Sequence, residues 1–340
     1  MAIQSESELE DLLSAPSPAD CAAMRELGGD LLILGAGGKM GPSLARRARR
    51  AADEAGLSMR VIAVSRFSDA NAESSLQTGG IETIRADLLQ FEQLAGLPDA
   101  PNVIFMAGRK FGSTGAAHVT WASNAYLPGR VAERYRDARI VAFSSGNVYP
   151  FVPVESGGAS EQTRPDPVGE YAQSVLARER IFEFFSARYG TRVCLLRLNY
   201  AVEMRYGVLR DIGMRVFAGR PVDLGAGHVN VIWQGDANSI CLRSFGLCSS
   251  PPDVLNVTGP ETLAVRAIAE RFGELLNRQP AFQGRAAESA LLNNAGRCHR
   301  LFGPPAVTAQ QAIEWTAQWI GADGPGWDKP THFETRDGRF

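Results

Sequence analysis

Three glycines at intervals of three, Gly35, Gly38 and Gly41, stand behind the apolar run Leu31-Leu32-Ile33-Leu34 and ahead of the helix-forming segment Leu44-Ala45-Arg46-Arg47-Ala48. Glycine lets the backbone come close to a pyrophosphate, and a helix that begins there turns unpaired N–H groups toward the anion. The spacing is Gly-x-x-Gly-x-x-Gly, because Met40 occupies the last glycine position of the tighter Gly-x-Gly-x-x-Gly pattern. Lys39 lies inside the loop, so Gly35, Gly38, Lys39, Met40 and Gly41 are candidate cofactor contacts. A glycine turn that only packs a helix on a strand gives the same local pattern, and the rest of the chain decides between the two.

A dinucleotide site usually ends its second strand in Asp or Glu, which takes the ribose hydroxyls. Here Val61-Ile62-Ala63-Val64 runs into Ser65-Arg66. A carboxylate repels a 2′-phosphate, whereas a guanidinium binds one through a charge-assisted fork. Ser65 and Arg66 therefore favour NADP(H); NAD(H) remains possible, with Arg66 simply solvated. Further on, Ala86-Asp87-Leu88 places an acid after a strand. Asp87 either meets the adenine amino group or caps a helix, and Asp87 and Leu88 join the cofactor candidates.

The elements that must position these loops alternate. Apolar strand candidates are Leu31–Leu34, Val61–Val64, Val103–Ala107, Ile140–Ser144 and Val193–Leu196, with helical stretches at Pro42–Ala55, Trp121–Asp137 and Tyr171–Tyr189 between them. Strands apolar throughout and separated by helices imply a parallel sheet covered on both faces. The expected fold is α/β, a Rossmann-type doubly wound parallel sheet with a smaller C-terminal substrate-binding lobe, and ligands bind at the C-terminal ends of its strands. The expected division is an N-terminal helical arm (1–28), an NAD(P)-binding domain (29–200) that also receives strands near 229–258, a lobe (201–228 and 259–320) and a tail (321–340). In the arm, short helices are expected at Ser5–Leu13 and Asp20–Leu27. In the second half, helices are expected at Arg205–Ala218, near Asp236–Phe245, at Thr262–Asn277 and at Thr308–Ile320. Short strands are expected at Asn230–Ile232 and Val254–Val257. Trp327 and Phe333 are the aromatics that would anchor the tail.

Composition narrows the function. A net charge of −2 gives no reason to expect nucleic acid or an anionic membrane as partner. No apolar run is long enough to span a bilayer, and the acidic start (Glu6, Glu8, Glu10, Asp11) is unlike a targeting peptide, so a cytoplasmic protein is expected. Five scattered cysteines read as free thiols. His118, His228, His299 and His332 have no partner at ligand spacing, so no metal site is expected. Of the 35 basic residues only Lys39, Lys110 and Lys329 are lysines.

With these pieces in place, the chain resembles the extended short-chain dehydrogenase/reductase family, in its NAD(P)-dependent epimerase/dehydratase branch, from about Asp30 to Gly321. Seven motifs carry the resemblance in order: the glycine loop, then Phe105-Met106-Ala107-Gly108, then Phe143-Ser144-Ser145-Gly146-Asn147-Val148-Tyr149-Pro150. Glu161, Pro165 and Pro167 ahead of Tyr171 follow, then Asn230-Val231-Ile232-Trp233-Gln234-Gly235-Asp236-Ala237, Leu255-Asn256-Val257-Thr258-Gly259 and Arg300-Leu301-Phe302-Gly303. The second motif implies that Ala107 and Gly108 lie beside the nicotinamide.

The resemblance also implies the catalytic centre. The family uses a Ser or Thr together with Tyr-x-x-x-Lys on one helix; Ser145 matches the first and Tyr171 the tyrosine. A phenol can give or take the proton of a substrate hydroxyl while hydride moves, and a serine can hold the oxygen on which charge develops. The lysine lowers the tyrosine's pKa and holds the nicotinamide ribose. This chain reads Tyr171-Ala172-Gln173-Ser174-Val175, so the lysine position is Val175. Arg178, two helical turns beyond Tyr171, is expected to lie too far to act on the phenol. Lys110, at the mouth of the fourth strand, is expected to supply the missing positive charge.

Candidate substrate contacts are Ser145, Asn147, Asn199, Tyr200 and Arg205; Arg205, Arg210, Arg215 and Arg220 either bind a sugar-nucleotide diphosphate or coat an exposed helix. Asn124 falls where the family often has an Asn. Two functional readings follow. The first is an NAD(P)-dependent epimerase/dehydratase-like oxidoreductase acting on a hydroxyl or carbonyl of a sugar, sugar acid or sugar nucleotide. The second is a nicotinamide-cofactor-binding protein with little or no turnover, a sensor or partner subunit. The resemblance further implies a homodimer paired through helices Trp121–Asp137 and Tyr171–Tyr189.

Overall fold

The computed structural model describes residues 3–110, 112, 115–327 and 329–339. Seven strands build the main sheet: β1 (Leu31–Leu34), β2 (Val61–Ser65), β3 (Glu82–Arg85), β4 (Asn102–Phe105), β5 (Arg139–Ser145), β6 (Arg192–Leu198) and β7 (Asp253–Val257). All are parallel, in the order β3-β2-β1-β4-β5-β6-β7. The order reverses on either side of β1, where Leu34 pairs with Val64 on one flank and Phe105 on the other. A crevice opens at such a switch point, outside the carboxyl ends of the strands.

Both faces are covered, which is why the central strands are apolar without alternation. Leu31 and Ile33 enter one core layer with Leu44, Ala48 and Ile240; Leu32 and Leu34 enter the other with Leu127, Val131 and Phe182. The first layer is packed by helices α2 (Pro18–Leu27) and α3 (Gly41–Glu54), while α1 (Glu6–Ser14) lies outside it on α3. The second is packed by α4 (Leu127–Arg134) and α5 (Gly169–Tyr189), with Phe182 edge-on to Phe105 at 5.8 Å. The edge strand β3, Glu-Thr-Ile-Arg, is half-exposed and has no apolar run to reveal it.

The C-terminal lobe has its own core, where Val208, Ile212, Val265, Phe272, Ile313 and Phe333 meet. It is built on α6 (Val208–Phe217), α8 (Val265–Leu276) and α9 (Ala309–Gly321), while α7 (Gln234–Arg243) returns to the sheet layer. Of the two strands expected near 229–258, only Asp253–Val257 joins the sheet. Ile232–Trp233 pairs with Ala201–Val202, and His228–Val229 pairs with Leu263–Ala264, each as a small separate ribbon.

The single helix expected at Trp121–Asp137 is composite. An α turn (Ala117–Trp121) passes into a wide π turn (Ala122–Tyr126) before α4 begins with Pro128 in its first turn. Wide turns of this kind re-aim side chains, and here the turn carries Asn124. The N-terminal arm packs as expected. Ser17 and Asp20 form a capping box, and Asp20 also takes the buried Arg47 guanidinium at 2.7 Å. The tail is anchored: Trp327 lies beside Tyr206, Phe333 is buried in the lobe, and Thr331 donates twice to Asp211, at 2.6 and 2.7 Å.

Candidate functional site

The glycine loop is shaped by close approach. Gly35 has φ of +93°, and a Cβ there would sit 2.5 Å from the Ala107 nitrogen; a Cβ on Gly41 would overlap the Ala36 carbonyl. Gly38 meets nothing nearer than 3.5 Å, so it keeps the loop face open rather than relieving a clash. Gly37, which lies outside the three-residue spacing, makes room for the Ser65 hydroxyl. The signal for it was the fourth glycine itself. Helix α3 begins at Met40 without a side-chain cap, so the unpaired N–H groups of its first turn are available to an anion.

A cleft of about 720 Å³ runs from this loop across the strand ends. Gly35, Gly38, Ser65, Arg66, Asp87, Leu88, Ala107 and Gly108 all line it. Arg66 is exposed, and among the described residues no hydrogen bond or ion pair holds its guanidinium. Asp87 accepts from the Leu89 nitrogen at 3.0 Å, so it caps a turn and faces the cleft at once. Met40 and Gly41 support the loop from within.

Lys39 does not point at the cleft. Its ammonium donates to the Ala201 carbonyl at 2.6 Å and lies 4.2 Å from the centre of the Tyr206 ring. Burial pushes its pKa down to about 7, with the Glu203 and Asp211 carboxylates pulling the other way. Instead of holding phosphate, it ties the loop to the C-terminal lobe.

Tyr171 and Ser145 are brought together. Ser145 ends β5 and Tyr171 stands in the first turn of α5, near enough for the Ser145 hydroxyl to act on the phenol. Ser145 donates to Asn147 Oδ1 at 3.0 Å. Burial raises the Tyr171 pKa, while the Ser145 hydroxyl and the Arg178 charge lower it. Val175 fills the lysine position with an apolar side chain, closed in by Val148, Tyr149 and Ala159. The Lys110 ammonium lies 5.9 Å from the centre of the Tyr171 ring and donates to the Thr331 carbonyl at 3.4 Å. Burial lowers its pKa to about 8, opposed by Asp211 and Glu334.

On the substrate side Asn147 and Tyr200 line a small cavity of about 20 Å³ with Tyr149, His228, Phe333 and Arg336, room for about one water. Asn199 lies just behind, its amide on the Leu291 carbonyl at 3.4 Å. The tail, which the sequence left without a role beyond packing, thus forms a wall of this cavity. Arg205 is a correction. Its buried guanidinium is taken by Glu203, Glu6 and Glu10, with Trp327 stacked at 5.0 Å, so it anchors the arm instead of lining either cavity. Asn124 exceeds a packing role: it accepts from the Arg109 nitrogen at 2.8 Å, donates to Ser174 Oγ and accepts from Arg178.

Comparison with known proteins gives the lineage. A model of the NAD dependent epimerase/dehydratase family matches residues 31–202, just over half of the 340 residues. The chain belongs to that family. No curated protein sequence matches it. Among solved structures it is similar to the UDP-glucose 4-epimerase of Thermotoga maritima with UDP-glucose, at 16% identity and a TM-score of 0.72, covering 86% of this chain and 98% of that one. The UDP-glucose 4-epimerase of Thermus thermophilus with NAD is similar at 19% identity and a TM-score of 0.70, covering 87% and 99%. The dTDP-glucose 4,6-dehydratase of Bacillus anthracis with NAD is similar at 15% identity and a TM-score of 0.73, covering 86% and 96%. At these identities the likeness is one of fold. Among the described residues no helix is long and apolar enough to cross a membrane.

Proposed function

We propose that this family member is an NAD(P)-dependent oxidoreductase of the epimerase/dehydratase type acting on a hydroxyl or carbonyl of a sugar, sugar acid or sugar nucleotide. The observation that carries this reading is the approach of the Ser145 hydroxyl to the Tyr171 phenol, in a chain whose glycine loop opens a cleft across the strand ends. A nicotinamide, when bound, supplies the hydride acceptor and donor. The residues fit such a group: glycine at 35 and 37 lets the loop lie against Ala107 and Ser65, and those two residues, with Gly108, line the cleft. Tyr171 takes the proton of the substrate hydroxyl or returns it, and Ser145 orients the same oxygen. Lys110 faces the ring of Tyr171, 5.9 Å from its centre.

The proposed cofactor is NADP(H). Ser65 stands where a carboxylate would exclude the 2′-phosphate, and the Arg66 guanidinium borders the cleft without another partner among the described residues. NAD(H), the cofactor named for the similar structures, is the competing assignment. We also propose a homodimer through the helices around Tyr126 and Phe184. These two aromatics, with Tyr189, are exposed there, Tyr126 by 60% and Phe184 by 55%, and such a patch on a soluble protein marks an interface. The five free cysteines fit a reducing, cytoplasmic setting.

The second reading, a cofactor-binding protein without turnover, is favoured by one observation: Val175 sits in an apolar cluster with Val148, Tyr149 and Ala159, so no cation stands at that point. Release of the bound nucleotide from purified protein, followed by a screen of sugars, sugar acids and sugar nucleotides at the nicotinamide absorbance band, separates the two. Turnover supports the enzyme; bound nucleotide with no turnover supports the sensor.

A further inference from the structure

We propose that Arg178 is the positioning residue that supplies the positive charge behind Tyr171, from a buried seat beneath Gly108. The inference rests on the reading of Tyr171 as acid and base. Arg178 is seven residues after Tyr171 on α5, which the sequence alone made too distant. Helical side chains lean toward the N-terminus, and this long one runs back along the helix. Its Nη1 donates to the Phe143 carbonyl at 2.6 Å, its Nη2 to Asn124 Oδ1 at 3.0 Å and its Nε to the Asn124 carbonyl at 3.3 Å. Its guanidinium lies 5.2 Å from the centre of the Phe105 ring. A Cβ on Gly108 would fall 2.6 Å from Nη2, so the guanidinium lies directly under the backbone that lines the cleft.

Every acceptor on that guanidinium is neutral. Among the described residues no carboxylate pairs directly with Arg178; the Glu179 charge acts on it, but that carboxylate's hydrogen bonds go to Arg197 and Ser144. A buried cation with no direct counter-ion is costly, and an anion formed nearby recovers part of the cost. The phenolate of Tyr171, whose charge also acts on Arg178, is that anion. Among the described residues, groups acting on Tyr171 include Ser145 from β5, Lys110 from the loop after β4, Tyr206 from the segment before α6 and Arg178 from its own helix. Lys110 has Asp211 and Glu334 to offset its charge, and burial brings its pKa to about 8. Burial brings Arg178 only to about 10, so it keeps its charge through neutral pH. Val175 and Arg178 thus exchange roles: the apolar residue occupies the near turn, and the cation acts on the phenol from the far one.

The test reads Tyr171 without substrate or turnover. A fluorinated tyrosine is placed at position 171, and its ionisation is followed by fluorine NMR. Arg178→Gln is expected to raise the midpoint by about one pH unit or more. Arg178→Lys is expected to leave it near wild type, and Val175→Lys added to Arg178→Gln to bring it back down. An unchanged midpoint in folded Arg178→Gln overturns the proposal. If that variant does not fold, Lys110→Gln decides: an unchanged midpoint sustains Arg178, and a rise of about one unit assigns the charge to Lys110 and overturns it. Equal turnover of wild type and Tyr171→Phe instead removes the acid/base reading and leaves the titration result standing.

Discussion

The hydroxyl of Ser145, at the end of its strand, lies close enough to Tyr171, in the first turn of its helix, to lower the phenol's pKa against a burial effect that raises it. Ser145→Ala therefore moves the alkaline limb of the kcat profile to higher pH, because the phenolate forms later. Turnover at neutral pH is expected to fall about a hundredfold to a thousandfold, as for a lost oxyanion donor. A pH–rate profile of the variant with no shift would show that Ser145 does not act on Tyr171.

Arg66 governs cofactor choice. Arg66→Ala removes a charge-assisted hydrogen bond to a 2′-phosphate, worth about 1.5–3 kcal/mol, so the Kd for NADP(H) is expected to rise by about tenfold or more. The Kd for NAD(H) should barely change. Titration calorimetry with both nucleotides checks it, and equal losses would remove the preference.

Lys39 makes stability depend on pH. Burial depresses its folded pKa to about 7, well below the unfolded value. The unfolded state therefore binds more protons between about pH 7 and pH 10, and stability rises with pH across that window. Lys39 is only half-buried, so the contribution is about 1 kcal/mol after discounting for solvent. Urea unfolding of wild type and Lys39→Met at pH 7 and pH 9 is expected to show the wild type gaining more.

Phe333 locks the tail over the small cavity. It is 5% exposed within the lobe core. Phe333→Ala is expected to cost about 3 kcal/mol and to speed amide exchange from Thr331 to Gly338. Unchanged exchange would show that the tail is held by Thr331 on Asp211 and by Arg336 on Ser289 instead.

The sheet was readable because its central strands are buried on both faces, which leaves the uninterrupted apolar runs Leu31–Leu34 and Val61–Val64. Glu82–Arg85 was not, since an edge strand buries too little to carry a pattern. Gly35 and Gly41 could be placed from spacing. Gly37 could not, because its role depends on the Ser65 hydroxyl across the loop. Counting helical turns discounts Arg178, because it ignores the length and lean of the side chain. Chain position assigns Arg205 and Lys39 to ligands, but long cations go to the nearest acceptors in space, here the arm's carboxylates and the Ala201 carbonyl. The tail's contribution to the cavity rests on contacts across more than a hundred residues and leaves no local signature.

The central claim is that Tyr171 performs acid/base chemistry beside Val175. It is tested most directly by following nicotinamide absorbance for wild type, Tyr171→Phe and Val175→Lys with the same sugar substrate. The account predicts turnover in wild type and a loss of about a hundredfold or more in Tyr171→Phe with cofactor affinity unchanged. An inactive wild type alongside an active Val175→Lys, or a Tyr171→Phe variant as fast as wild type, would contradict it.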